Sequence, residues 1–347
     1  MDLEIPGCDQ LCSDPQAFLG NGQIPPEKLD TSAAHLQGLT QTMTETSDYQ
    51  QRLAKQSVTE LDIRATLGWQ FAMGINTITS YYPWRDWDPD FAGRLNDYTE
   101  RCCQWLRHSQ PLTKVALLYP IRSVWTHFVP QTRGMYDLST QSPETLTLQT
   151  SFGALTHALI KQGVEYDYIT EEALQEASLE GKALTVGNCA YQAIVLPEVT
   201  YIEERTLARL QRFQELGGLV LRAGSLEAFT GKGDEPASFT NSLPLTSADK
   251  LGEALRAADL VPVLPSTPTE TLVYCLRKKE GKRVYFLQNH SETPYLDNLR
   301  LAGAGEVLVI DPVTGEESRR RAFVPEPGWI ELGLELAPWH NMLVVVG

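Results

Sequence analysis

Glu45 stands where a short β-like segment, residues 39–44, runs into the polar stretch Thr46-Ser47-Asp48. A carboxylate at the C-terminal end of a barrel strand is where a (β/α)8 enzyme keeps its chemistry. A second β-like segment, residues 74–82, follows one helix later and ends in Tyr81 and Tyr82. Trp84 and Trp87 come next, interleaved with Arg85, Asp86, Asp88 and Asp90. Aromatic faces stack on the C–H faces of sugars and carboxylates accept from hydroxyls, so this composition suits a carbohydrate site. It equally suits an aromatic loop packed onto a neighbouring domain. Asp9 follows the turn Pro6-Gly7. It is placed to hold a sugar hydroxyl or a cation, or to cap backbone amides as turn aspartates do. His35, in a helical stretch, is either a substrate contact or a structural histidine. The Asp86/Asp88/Asp90 spacing admits calcium, although it lacks the Gly and terminal Glu of an EF-hand loop. No other cofactor is expected.

The elements that would position these groups alternate. Residues 27–37 read as a helix, residues 57–73 as a second with Ser57 and Glu60 as a capping box, and residues 91–107 as a third. With the extended runs at residues 3–6, 39–44 and 74–82, they make three βα units in residues 1–110, the C-terminal half of a (β/α)8 barrel. Residues 111–264 alternate again. Extended runs at 114–119, 164–169, 193–197 and 219–222 are joined by helices at 144–162 and 202–216, which predicts a doubly wound parallel sheet. Residues 265–269 (Pro-Ser-Thr-Pro-Thr) read as a linker, and residues 270–347 as strands alone, with a hairpin around Lys279-Glu-Gly-Lys282. The fold class is therefore α/β plus all-β, ending in a C-terminal β-sandwich spanning 265–347.

The chain has 347 residues and a net charge of −15. That charge disfavours nucleic acid phosphates and anionic membranes, and fits a neutral carbohydrate better than a polyanion. No apolar run approaches the ~18 residues of a membrane span, and the first residues lack the regions of a signal peptide. The six cysteines (Cys8, Cys12, Cys102, Cys103, Cys189 and Cys275) contain no CxxC pair. They read as reduced thiols of a cytoplasmic protein, with adjacent Cys102 and Cys103 on different sides of a helix.

Several stretches together resemble the C-terminal part of bacterial glycoside hydrolases of the family 106 α-L-rhamnosidase type. They are Ile5-Pro-Gly-Cys-Asp9, Ser32-Ala-Ala-His35 with Met43-Thr-Glu45, Trp69 to Asn76, Asn96-Asp-Tyr98 with Arg101, Val284 to Asn289, and Asp311-Pro-Val-Thr-Gly315. The chain departs from the family at Ser80-Tyr-Tyr82, where members often carry a His. The middle segment resembles the glutamine-amidotransferase-like domain of β-galactosidases. Its elbow, Leu221-Arg-Ala-Gly-Ser225, has no Cys nucleophile. The resemblance implies hydrolysis of a glycosidic bond, with Glu45 as base or nucleophile and Asp9, His35, Tyr81, Tyr82, Trp84 and Trp87 as substrate contacts. It also implies that the acid, its partner carboxylate, belongs to barrel strands outside these three units. Those strands would come from a partner chain; otherwise the open sheet would self-associate. The alternative is a non-catalytic carbohydrate-binding or assembly module, or an inactive fragment.

Overall fold

The computed structural model describes residues 4–132, 137–231 and 235–347. The expected start at residues 3–6 gives way to a later strand, and Leu3 lies outside the described residues. Strand β1 (Gly7–Gln10) begins after Pro6, which supplies no amide to a ladder. Helix α1 (Pro26–Leu36) opens on a proline at its first position. Then come β2 (Met43–Thr46), the short α2 (Tyr49–Leu53) and α3 (Glu60–Ala72). The capping box of α3 is Thr59 with Asp62, not Ser57 with Glu60. The helix stops at Gly74, where φ is +100°. There the amides of Gly74 and Ile75 return to the carbonyls of Phe71 and Gln70, a Schellman closure. Strand β3 (Thr77–Ser80) and helix α4 (Pro89–Leu106) complete the unit. Strands β1, β2 and β3 form a parallel sheet in that order, with Asp9, Glu45 and Thr79 in register across it.

From α4 the chain adds β4 (Gln110–Pro111) and enters the middle unit through β5 (Val115–Leu118) and α5 (Ile121–His127). Helix α6 (Pro143–Lys161), strand β6 (Tyr166–Ile169) and helix α7 (Glu171–Glu176) follow. A small antiparallel sheet, β7 (Ser178–Glu180), β8 (Ala183–Val186) and β9 (Cys189–Tyr191), is an addition to the sequence reading. Strand β10 (Ala193–Leu196), helix α8 (Glu204–Glu215) and β11 (Leu219–Arg222) complete a parallel sheet of order β11-β10-β5-β6. Alternate residues of β5 and β10 enter two different cores, Val115, Leu117 and Val195 one, Ala116, Leu118 and Ile194 the other. Both faces are covered, which is why these strands are continuous apolar runs.

The last unit starts at β12 (Val263–Pro265) and continues with the hairpin β13 (Leu272–Lys279) and β14 (Lys282–Asn289). Strands β15 (Tyr295–Ala302), β16 (Val307–Ile310), β17 (Glu317–Arg320), β18 (Trp329–Leu336) and β19 (Asn341–Val346) follow. They form sheets of order β17-β16-β19-β14-β13-β4 and β12-β15-β18, with an apolar core of their own. The incorporation of β4 ties this unit to the first.

One core runs through all three units. Helix α3 is its axis. Residues Ile63 to Ala72 of α3 are buried at most positions around the helix, because the β1–β3 sheet lies on one side and the β-sandwich on the other. A Cβ on Gly68 would fall 2.4 Å from Gln288 Oε1 of β14, so glycine permits the approach. Phe71 meets Phe286 edge-on at 5.6 Å. All six cysteines are free. Cys102 and Cys103 are both buried.

His290, on the loop after β14, lies among Trp69, Phe18 and Trp339, with ring centroids at 4.9, 6.4 and 5.0 Å. Its Nε2–H donates to the Pro15 carbonyl at 2.9 Å, which leaves Nδ1 unprotonated. Burial lowers its pKa from 6.5 to about 4. The unfolded chain binds a proton there first, so the contribution is lost as pH falls from about 6.5 towards about 4. The buried carboxyl of Glu165, pushed up to about 7, slopes the other way between pH 4.5 and 7. The difference between wild type and His290→Gln isolates the histidine. That difference in unfolding free energy is expected to change by roughly 3 kcal/mol across the window. Urea titrations at several pH values measure it, and a pH-independent difference would refute the assignment.

Candidate active site

Side chains alternate across the β1–β3 sheet. Thr44 and Thr46 of β2 point to the helices and share hydrogen bonds with Gln70 of α3. Glu45 therefore points to the other, open face, in one row with Asp9 and Thr79. Glu45 is half-buried and Asp9 exposed. Tyr81, directly after β3, is 54% exposed and donates its hydroxyl to Glu45 Oε1 at 3.2 Å. The charge on Glu45 raises the pKa of that phenol, which keeps it a donor. Asp9, Glu45 and Tyr81 thus form one polar surface at the strand ends.

The next residues divide between that surface and the core. Tyr82 is buried, with its hydroxyl 2.9 Å from Ser13 Oγ. Trp84 and Trp87 pack on Tyr82 and on each other, with centroids 5.2–5.7 Å apart, and both are half-buried. The Trp84 indole N–H donates to Ser80 Oγ at 3.0 Å. Asp86, Asp88 and Asp90 are exposed, and Asp88 accepts from the Asp90 amide as the cap of α4.

His35 is elsewhere. It is 3% exposed, and its Nδ1 lies 3.0 Å from both carboxylate oxygens of Asp167. Its Nε2 lies 2.6 Å from an Arg277 guanidinium nitrogen. A guanidinium can only donate, so Nε2 accepts and the proton sits on Nδ1, directed at Asp167. The ring is neutral, in keeping with a pKa lowered by burial. Asp167 also accepts from Tyr191 at 3.0 Å and from the Cys189 thiol, with Lys28 Nζ 3.9 Å away. Burial opposes its charge, but the hydrogen bond from the His35 N–H and the charge of Lys28 outweigh this and hold its pKa well below the usual range. His35, Asp167 and Cys189 are metal-ligating types in one cluster. Here their donors and acceptors engage one another and Arg277.

The members come from all three units: His35 and Lys28 from α1, Asp167 from β6 with Cys189 and Tyr191 from β9, and Arg277 from β13. The cluster therefore joins the three units. The sequence reading misses Asp167, and its signal was an acid inside a strand buried on both faces, which needs partners.

Other stretches that carried the resemblance also make long-range contacts. The Ser32 hydroxyl accepts the Tyr168 amide from the middle unit, and within the first unit Asn76 binds Thr40 and Thr42 just before β2. Asn341 donates to the Tyr98 hydroxyl. Arg101 donates to the carbonyls of Pro312 and Val313.

No protein-family profile and no curated protein matches the chain by sequence. Solved structures match it by shape. A rhamnosidase from Novosphingobium sp. PP1Y superposes with a TM-score of 0.68 at 16% identity, covering 99% of this chain and 34% of that one. The α-L-fucosidase isoenzyme 2 from Paenibacillus thiaminolyticus gives 0.62 at 14% identity, covering 98% and 65%. This chain has a glycoside hydrolase-like fold. A β-galactosidase from Bacillus circulans sp. alkalophilus extends the likeness, at a TM-score of 0.54 and 13% identity, over 84% of this chain and 53% of that one. The glycoside hydrolase-like chain thus spans about a third of the rhamnosidase and less than two thirds of the fucosidase. Among its described residues no helix is long and apolar enough to cross a membrane.

Proposed function

We propose that the open face of the β1–β3 sheet is the carbohydrate-handling half of a rhamnosidase-like glycosidase centre. In this reading Glu45 is the base or nucleophile, Asp9 and Tyr81 contact the sugar, and half-buried Trp84 and Trp87 flank it. The observation that supports this best is the row Asp9–Glu45–Thr79 at the strand ends, with Tyr81 fixing the Glu45 carboxylate. A base on one side of a glycosidic bond needs an acid on the other. A (β/α)8 site is built at the C-terminal ends of several of the eight strands and their loops, so turnover requires further strands that bring the acid. The test is hydrolysis of aryl α-L-rhamnosides, α-L-fucosides and β-galactosides, with Glu45→Gln as the control.

The second reading, a non-catalytic carbohydrate-binding or assembly module, is favoured by the three-strand sheet itself. Saturable sugar binding without turnover in any assembly would select it. In both readings the outer edges of β1 and β3 lack a strand partner among the described residues. Such edges recruit strands from other chains. The isolated chain is expected to self-associate, giving a light-scattering mass above 38.7 kDa. A stable monomer at high concentration would contradict this.

A further inference from the structure

A cavity of about 390 Å³ lies between the middle unit and the β-sandwich, far in sequence from Glu45. Thr113, Lys114, Glu165, Arg283 and Trp329 are among the residues that line it. Thr113 is 4% exposed and its hydroxyl has no hydrogen-bond partner. Lys114 is half-buried, and among the described residues its ammonium makes a single hydrogen bond, to the Asp259 carbonyl at 3.5 Å. Neither Lys114 nor Arg283 forms an ion pair among the described residues. Burial lowers the pKa of Lys114, and the positive charges of Arg283 and Lys182 lower it further. Like charges left together at a partly buried site repel unless an anion joins them. This arrangement is unexpected in a chain with a net charge of −15, where carboxylates outnumber bases.

The acids on the wall do not fill that role. Glu326 is paired with Arg300. Both oxygens of Glu165 face the Leu276 amide at 3.2 Å, and burial pushes its carboxyl up to about 7. The Asp259 carboxylate attracts Lys114 less than burial and the two cations disfavour its charge. The wall therefore offers cationic donors, a carboxyl that can donate when protonated, and an indole. A guanidinium matches a carboxylate in two-point fashion. The indole and the Glu165 carboxyl match a pyranose ring and its hydroxyls.

We propose that this cavity binds a monosaccharide-sized sugar acid. Lys114 and Arg283 hold its carboxylate, Trp329 lies against its ring, and Glu165 meets its hydroxyls. The site is independent of Glu45 and of any hydrolysis.

Isothermal titration of the full chain with glucuronate, glucose, acetate and inorganic phosphate tests it. Glucuronate is expected to bind saturably, with glucose, acetate and phosphate each at least about tenfold weaker. Lys114→Gln and Arg283→Gln are each expected to weaken glucuronate at least about tenfold, and Arg283→Lys less than Arg283→Gln. Thermal melts without ligand show whether each variant is folded. Should Lys114→Gln not fold, exposed Lys182→Gln, which weakens the same field, is expected to reduce affinity by a smaller factor. Absence of saturation with glucuronate overturns the proposal, as does equal affinity for glucose, which marks a neutral-sugar site. Equal affinity for acetate or phosphate overturns it too, by marking a general anion site.

Discussion

Replacing Glu45 by glutamine is expected to reduce kcat/KM for aryl-glycoside hydrolysis by about 1,000-fold, within the range that a positioned base contributes. The substitution keeps the shape of the side chain and an oxygen for the Tyr81 hydroxyl to reach. It removes the lone pair that accepts a proton or attacks carbon. Glu45 is half-buried on an open face, so the melting temperature should barely move. Tyr81→Phe should cost far less, because Tyr81 is exposed and a hydrogen bond open to solvent contributes little. The assay belongs to an assembly in which the added strands are present. Retention of full activity by Glu45→Gln would assign the chemistry to another carboxylate and leave the β2 strand end a binding surface.

Asp167→Ala is expected to destabilise the fold by about 3–5 kcal/mol, the penalty typical of breaking a buried charge cluster by deleting one member. The loss follows from what remains. Lys28 would be buried without its counter-charge, and Tyr191 and His35 would keep donors without acceptors. The acid contribution has a definite sign. The folded Asp167 carboxyl has a lowered pKa, so its stabilisation is present above the unfolded value and is lost as pH falls through the folded one. His35, held neutral with a lowered pKa, also favours unfolding as pH falls below 6.5. Urea unfolding of wild type and Asp167→Ala at neutral pH gives the comparison. A difference below about 1 kcal/mol would show that the cluster is not a joint, since ordinary surface changes are that small. His35→Ala should lower stability while leaving any sugar affinity unchanged.

The legible part of this chain was what local chemistry dictates. The runs at Val115–Leu118 and Ala193–Leu196 declare strands covered on both faces, and the 202–216 periodicity declares a surface helix; all three are present within a residue or two of expectation. Helix α3 was found, but its periodicity was only approximate. The structure supplies the reason, since a helix buried on most sides has no polar face to set a period. The small sheet β7–β9 was missed although Gly181-Lys182 and Gly187-Asn188 are hairpin turn pairs. Its strands of three and four residues are too short to show alternation. At the candidate site, Glu45 and Tyr81 could be read from their places at strand ends. His35 illustrates the limit. Its surroundings are assembled from residues more than 100 positions away, so nothing near it in sequence reveals that both nitrogens are engaged.

The place of α3 has a consequence for how such chains can be altered or recombined. Its Gly68 and Phe71 fit the Gln288 and Phe286 side chains of β14, and β4 joins the edge of the sandwich sheet before the middle unit begins. The β-sandwich is thus no detachable appendage. A chimera that imports a foreign sandwich inherits mismatched knobs and sockets along α3, and a truncation after residue 264 strips one wall from that helix. The chain should melt as a single cooperative unit, and graft points that respect its outline as three beads would cut through its shared interior.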